Sequence, residues 1–221
     1  GNQNTTNWYQ TYQTMSVGSS NGAWLMNGNK PNTASAPGLV SASLTWETIE
    51  SYNLGLDWGV FNNRLTGSFD WYIRDTKNMV GNAPELPALL GTGVPITNNT
   101  DLRTSGWELS IGWNDRLNNG FTYGAKFNVS DARTKITRYP NNPTKAVSTY
   151  IEGRYTNEIW GYTTVGLAKT DEEMQAHLAT MPNGGQSALG SDWKAGDIMY
   201  ADINGDGKIS GGSGTLNDTG D

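Results

Sequence analysis

Hydrophobic and polar residues alternate along residues 46–74, on both sides of a tight turn at Phe61, Asn62 and Asn63. Every second residue of each strand belongs to an apolar set, which we call the apolar parity. It contains Tyr52, Leu54, Leu56, Trp58 and Val60 before the turn, then Leu65, Gly67, Phe69, Trp71 and Ile73 after it. Because successive side chains of a strand point to opposite faces, the pattern predicts a β-hairpin with one apolar and one polar face. The function depends on whether the apolar face meets a protein core or lipid.

The alternation loses its phase at the start of this hairpin, where Ile49 and Glu50 do not fit the parity of the following residues. Two explanations stay open. Either a β-bulge lies near Ser51, or the strand has already left the buried zone at that point.

A second hairpin is predicted over residues 106–130. Its apolar parity contains Trp107, Leu109, Ile111 and Trp113, then Phe121, Tyr123, Ala125, Phe127 and Val129. The intervening residues 75–105 carry three prolines and little periodicity, as do the long external loops of outer-membrane barrels. A soluble sandwich would show more evenly spaced turns. We therefore expect an all-β fold, an antiparallel transmembrane β-barrel segment with long extracellular loops.

The flanking regions are interpreted as loops. Residues 1–45 are rich in Asn, Ser, Thr, Gly and Pro, and we expect a loop with a short strand at 22–27. Residues 131–221 form a long extracellular loop region. A capping box at Thr170–Glu173 predicts one short loop helix over about 171–181. His177, the only histidine, lies on the apolar stripe of that helix and is interpreted as a packing residue.

The amino-acid composition argues against several classes of protein and partner. Charged residues are 16% of the chain, below the ~25% usual for soluble domains, whereas Gly, Trp and Tyr are abundant. The net charge of -6 and the lack of a Lys/Arg cluster argue against a nucleic-acid partner. There is no cysteine, so disulfides and thiolate metal sites are excluded. Both ends are polar, and we expect the chain to be a piece of a longer protein.

The most specific local motif runs from Asp202 to Ile209 and matches the first half of a calcium loop. The candidate metal ligands are Asp202, Asn204 and Asp206, with Lys208 contributing its backbone carbonyl. These are oxygen donors, which Ca²⁺ prefers.

The second half of the motif departs from the pattern, because position twelve is Ser213 instead of a bidentate glutamate. Asp197, Asp218 and Asp221 are candidate substitutes. The alternative is a set of Asn-Gly and Asp-Gly turns without metal. Both interpretations stay open.

Enzyme motifs such as G-x-S-x-G, H-E-x-x-H and the P-loop are absent, and one histidine without cysteine leaves no nucleophile–base pair. A carboxylate pair of the glycosidase type needs no fixed spacing, and Asp57, Asp70 and Glu108 are its candidates. Polar residues lining a wet lumen explain the same acids more simply. We therefore expect no enzymatic activity.

Five segments together carry a resemblance to a known family: Thr45–Glu47, Asn53–Asp57, Leu65–Tyr72, Gly106–Leu109 and Gly196–Ile209. In this order they resemble the C-terminal barrel region of SusC/RagA-type TonB-dependent transporters of Bacteroidetes-type bacteria. The resemblance implies an outer-membrane barrel of about 22 strands around a plug. It also implies TonB and a SusD-like surface lipoprotein as partners, a lipid bilayer around the barrel, and an oligosaccharide or peptide substrate. The plug and the TonB-contacting segment are not among these residues, and no ligand-binding residue is assigned.

Three hypotheses follow. The chain is part of a TonB-dependent outer-membrane importer for glycans or other large nutrients; it is a secreted all-β carbohydrate-binding module with a structural calcium; or it is a fragment of a glycan-degrading enzyme. The long polar loops and the resemblance favour the importer.

Overall fold

The structure, a computed structural model, describes residues 11–18, 25–87, 89 and 91–221. The chain divides into two compact units, Gly1–Asn141 and Asn142–Asp221. Among the described residues, no helix has both the length and the hydrophobicity needed to cross a membrane.

The first unit is dominated by a four-stranded antiparallel sheet. After a short ribbon of β1 (Val17–Gly18) and β2 (Thr33–Ala34), the sheet contains β3 (Thr48–Val60), β4 (Leu65–Asn82), β5 (Ile96–Arg116) and β6 (Thr122–Arg138). Each strand pairs with the next along the chain, in the order β3-β4-β5-β6. The predicted all-β antiparallel fold class is confirmed.

Both tight turns lie at the same end of the sheet. Phe61, Asn62 and Asn63 all have φ between 54° and 62°, and the Arg64 amide donates to the Phe61 carbonyl at 3.2 Å. Asparagine tolerates this left-handed region better than most residues, which explains two of the three positions. In the other turn, Gly120 has φ 87°. The chain leaves β4 and β6 at the opposite end of the sheet.

The strands extend beyond the predicted hairpins 46–74 and 106–130. Parts of residues 75–105 and 131–138, which were predicted to be loop, are therefore strand. The connection between β4 and β5 is only residues 83–95. The apolar alternation ends before the strands do, because charged residues such as Asp75, Arg103 and Lys135 occupy the outward positions there. Register shifts between Thr76 and Val80 also change the parity there, and Asn78 has φ 59°.

The strand pairing distinguishes between the two explanations for the phase break near Ser51. The pairing of β3 with β4 runs without a shift from Thr48 opposite Lys77 to Val60 opposite Leu65, so there is no bulge. Glu50 lies opposite Asp75 on the same face as Tyr52. The strand has therefore left the apolar zone at Glu50.

The second unit contains β7 (Thr164–Leu167), α1 (Asp171–Ala179) and β8 (Ile198–Tyr200), with β7 and β8 paired antiparallel. Ala168, Met174 and Met199 form its small core, against which Leu178 and Trp193 pack.

Helix α1 begins at the capping residues found in the sequence. The Glu173 amide donates to Thr170 Oγ1 at 3.2 Å, and Glu173 Oε2 accepts from the Lys169 amide at 2.7 Å. The helix ends at Ala179, two residues before the predicted end. Amides 180 and 181 donate to the carbonyls three residues earlier, which tightens the last turn. Met181 is buried just beyond the helix.

The strand predicted at 22–27 lies partly outside the described residues, since 22–24 are not among them. Within the described part, Met26 and Asn29 form an isolated bridge around a turn.

Candidate functional site

The apolar parity of β3–β6 forms one continuous face of the sheet, which we call the outward face. Tyr52, Leu54, Leu56 and Phe127 on this face are each more than 60% exposed. A sandwich core would cover such side chains. In the part of the chain that the structure describes they stay uncovered, so the outward face has the character of a surface for lipid.

The size of this apolar band fits a membrane. Tyr52 to Val60 spans eight residue steps, which is about 27 Å along a strand and roughly 20 Å at the tilt of a barrel strand. Aromatic side chains stand at both limits of the band: Trp113, Phe121 and Tyr123 near the turns, and Tyr52, Trp71 and Trp107 toward the other end. Aromatic girdles at both interfaces are typical of outer-membrane barrels.

The band is closely packed despite its glycines. Trp58 and Gly67 are directly paired across β3 and β4, and a Cβ at Gly67 would overlap the Trp58 indole. On the opposite face, Tyr72 is paired with Gly106, where a Cβ would lie 2.6 Å from the Tyr72 hydroxyl oxygen. Large aromatic rings thus occupy the space that each glycine leaves.

The opposite, inward face is polar. A shallow hollow of about 330 Å³ is lined there by Ser68, Asp70, Glu108, Asn128 and Ser130 among others. Asp70 and Glu108 are direct cross-strand partners, whereas Asp57 is paired with Ser68. The three acids named from the sequence therefore lie on one face, and two of them are adjacent. A hydrated wall accounts for this arrangement.

The acidic loop folds around its own backbone. Asp202 Oδ1 accepts from the Gly205 amide at 2.7 Å, and its Oδ2 accepts from the Gly207 amide at 2.8 Å. Asn204 Oδ1 accepts from the Asp206 amide at 2.8 Å. Gly205 and Gly207 have φ 74° and 80°, values that suit glycine.

Of the three candidate substitutes for the missing glutamate, Asp221 joins the loop. One carboxylate oxygen from each of Asp202, Asp206 and Asp221 lies within 4.8 Å of the others. Asp221 Oδ1 also accepts from the Ile203 amide at 3.0 Å, and its Oδ2 accepts from the Ser210 amide at 2.9 Å. The sequence offered Asp221 only as one of three candidates, because it lies beyond the span of a calcium loop.

The other two candidate substitutes, Asp197 and Asp218, accept hydrogen bonds from backbone amides outside the Asp202–Ile209 loop. Asp197 Oδ2 accepts from the Lys194 amide at 2.9 Å. Asp218 accepts from the Ser213 amide at 2.8 Å, and this backbone hydrogen bond is the main reason that the pKa of Asp218 is lowered. Lys208 donates its amide to Asp206 Oδ1 at 3.1 Å.

The His177 side chain takes part in a hydrogen-bond network inside the second unit. Its Nε2 lies 3.2 Å from Oε1 of the fully buried Gln186. The same Oε1 accepts from the Tyr200 amide, and Gln186 Nε2 donates to the Ile198 carbonyl. This network ties α1 to β8.

The outward and inward faces together define a segment of an outer-membrane β-barrel. Comparison with known proteins gives the same result, because the model of the family "TonB dependent receptor-like, beta-barrel" matches residues 2–217. The chain belongs to this family. The predicted recognition, fold and outer-membrane location are confirmed.

Individual relatives agree with this assignment. TonB-dependent receptor P3 of Formosa agariphila is 30% identical over 180 residues, which cover 76% of this chain and 17% of that protein. TonB-dependent receptor SusC of Bacteroides thetaiotaomicron is 30% identical over 107 residues, which cover 48% and 11%. The chain thus spans less than a fifth of the length of these relatives.

Solved structures show the same fold. The RagAB peptide importer in its open-open state superposes with a TM-score of 0.55 at 24% identity, over 73% of this chain and 17% of that chain. Its closed-closed state gives a TM-score of 0.53 at 22% identity, over 88% and 21%.

Proposed function

We propose that this chain is part of a TonB-dependent outer-membrane importer for glycans or other large nutrients, acting with a SusD-like surface lipoprotein. The observation that carries the proposal is the pair of opposite faces on β3–β6, one apolar and exposed, one polar. A sheet between lipid and a hydrated lumen needs both faces in this form, which supports the proposal.

In this proposal the sheet is the wall of a conduit. Hydrogen bonds between neighbouring strands satisfy the backbone within the bilayer, as a membrane requires. Polar groups such as Ser68 and Asn128 keep the lumen hydrated. The energised step is assigned to TonB acting on a plug, in keeping with the family resemblance.

The substrate class is supported only by relatives. The RagAB structures are named as a peptide importer, and SusC is named as a TonB-dependent receptor. The RagAB name makes peptides a candidate substrate for this chain, and the family resemblance adds glycans. The family is one of receptors, so we propose no enzymatic activity. The exposed apolar band also favours the importer over a secreted carbohydrate-binding module.

We also propose that the Asp202–Ile209 loop binds Ca²⁺ as a structural ion. The support is the convergence of Asp202, Asp206 and Asp221, together with the spacing of the motif. Three carboxylates and the Asn204 amide oxygen form the hard-oxygen donor set that suits Ca²⁺. The ion would join the loop to Asp221.

The transport proposal is tested in the native bacterium with the full-length protein. Deletion of its gene is expected to abolish growth on one class of oligosaccharide or oligopeptide as sole carbon source, with growth on the matching monomer unchanged. A tagged full-length protein should copurify with a SusD-like lipoprotein from detergent-solubilised outer membrane. Unchanged growth on every oligomer, together with recovery in the soluble fraction, would contradict the proposal.

A further inference from the structure

Phe61 adopts a backbone conformation that an aromatic residue does not favour. It begins the turn between β3 and β4 with φ 54°, in the left-handed region that glycine and asparagine adopt far more readily. The two residues that follow, Asn62 and Asn63, suit such a turn, and local preference would place asparagine or glycine at position 61 as well. The presence of a phenylalanine there therefore needs a reason outside the turn.

The Phe61 ring lies on the outward side of the sheet. Its centroid is 6.4 Å from that of the Trp113 ring, and the two ring planes meet at 61° in an edge-to-face contact. Trp113 belongs to the outward face and lies on β5, where its partner on β4 is Leu65. The Phe61 ring thus extends from the turn across β4 toward β5. Both of these strands have described neighbours on either side.

The side chain of Asn63, in the same turn, lies on the opposite side of the sheet. A Cβ at Gly59 would overlap the Asn63 amide oxygen, so this amide covers the inward side of Gly59. Gly59 is paired with Thr66 on the inward face. The turn therefore continues both faces of the strands, with an apolar ring on the outward side and a polar amide on the inward side.

Phe61 also lies at the height of the membrane interface. It directly follows Val60, the last residue of the apolar band on β3, and so stands one residue step, about 3 Å, beyond that band. The polar layer on each side of the hydrocarbon core is about 5–8 Å thick, which places Phe61 within it. The Phe61 side chain is 67% exposed despite its contact with Trp113. Most of the ring surface is therefore available to lipid.

We propose that Phe61 anchors the first turn in the interfacial layer of the periplasmic leaflet, beside the Trp113 ring. The short turns of outer-membrane barrels lie on the periplasmic side. The proposal rests on the outward face meeting lipid, and it extends that contact from the strands to a turn. Burial of the ring among lipids offsets the unfavourable backbone conformation at position 61. The anchor fixes the height of the β3–β4 hairpin in the bilayer.

The test uses the full-length protein, free of other cysteines, in phosphatidylcholine bilayers, with a fluorophore on a single introduced cysteine. Phe61→Cys is compared with Asn63→Cys, in the same turn but on the inward side, and with Leu56→Cys in the middle of the band. Lipids brominated close to the headgroup should quench the label at position 61 more than twice as strongly as the label at position 63. Lipids brominated near the end of the acyl chains should quench the label at position 56 most strongly.

A second measurement is the midpoint of thermal unfolding in the same bilayers. Phe61→Asn supplies a side chain that suits the left-handed turn, so this variant should be at least as stable as the wild type if the ring has no membrane contact. The proposal instead predicts a lower midpoint for Phe61→Asn. Phe61→Trp keeps an aromatic ring at the interface and should retain the midpoint of the wild type.

Four results would overturn the proposal. The first is equal quenching at positions 61 and 63 while position 56 is quenched, which would remove the anchor and leave the lipid-facing band intact. The second is no quenching at position 56, which would also remove the assignment of the outward face. The third is a midpoint of Phe61→Asn at or above that of the wild type. The fourth is weak quenching at position 61 with a changed oligomeric state of Phe61→Asn, which would assign the ring to a contact with a second copy.

Discussion

The indole of Trp58 lies across Gly67, its direct partner on β4, and fills the volume that a Cβ at Gly67 would need. We expect Gly67→Ala to displace this ring and to destabilise the barrel by about 1–3 kcal/mol, since overpacking in a close-packed contact carries that cost. Full-length protein in detergent should unfold at a lower temperature, with altered tryptophan fluorescence.

Gly112→Ala is the matched control for this change. A Cβ at Gly112 would lie 3.3 Å from Thr66 Oγ1, the end of a side chain that can move by a few tenths of an ångström. The unfolding midpoint of the Gly112→Ala variant should therefore stay near that of the wild type. Equal loss in both variants would mean that the Trp58–Gly67 contact has no special role.

A charge on the outward face should be far more costly than the same charge on the inward face. Leu56→Arg places a guanidinium in the middle of the apolar band, where Arg costs about 2–4 kcal/mol. Ser68→Arg, on the inward face of the neighbouring strand, should cost less than half of that. The amount of folded protein in the outer membrane, measured by protease protection, should fall only for Leu56→Arg. A larger fall for Ser68→Arg would reverse the assignment of the faces.

The capping interaction at α1 predicts a local effect. Thr170→Ala removes the acceptor for the Glu173 amide and should destabilise the helix by about 1 kcal/mol. Limited proteolysis of the full-length protein should then cleave faster within residues 171–181. Thr170→Ser keeps a hydroxyl acceptor and should restore protection. Equal cleavage rates in all three proteins would show that the cap does not hold this helix.

Calcium should stabilise the second unit through the three carboxylates. In full-length protein, EDTA is expected to speed proteolysis within residues 196–221, and added Ca²⁺ should reverse this effect. Asp206→Ala should remove the difference between the two conditions. Asp218→Ala is the control, because Asp218 binds Ser213 and lies outside the cluster, so its calcium response should persist. Identical cleavage of the wild type with Ca²⁺ and EDTA would refute the calcium proposal.

The parts of this fold that could be predicted are those with a local signature. Period-two alternation gave both hairpins and the two faces, and the Thr170–Glu173 pattern gave the start of α1. The outer ends of β4, β5 and β6 were missed because charged residues replace the apolar ones at the outward positions there, so the alternation does not continue. Bulges such as that after Thr76 break the parity further.

Contacts that depend on register could not be predicted. Two examples are the ion pair of Asp75 with Arg103 and the packing of Trp58 on Gly67. Both depend on which residues lie opposite each other on neighbouring strands, and the sequence pattern within one strand does not specify that register. Asp221 was one of three candidates for the missing ligand, and only its tertiary contact with the loop distinguishes it from Asp197 and Asp218. The acids at positions 202 and 206 were found because their spacing is local.

The central claim is that the outward face of β3–β6 meets lipid and the inward face meets water. Residues 1–221 contain no cysteine. In a full-length protein otherwise free of cysteine, single cysteines at Leu56, Phe69 and Leu109 can therefore be compared with cysteines at Asp57, Ser68 and Glu108. In full-length protein reconstituted into bilayers and labelled with a fluorophore, brominated lipids should quench the first set strongly and the second set weakly. Equal quenching of both sets, or stronger quenching of the second, would contradict the account.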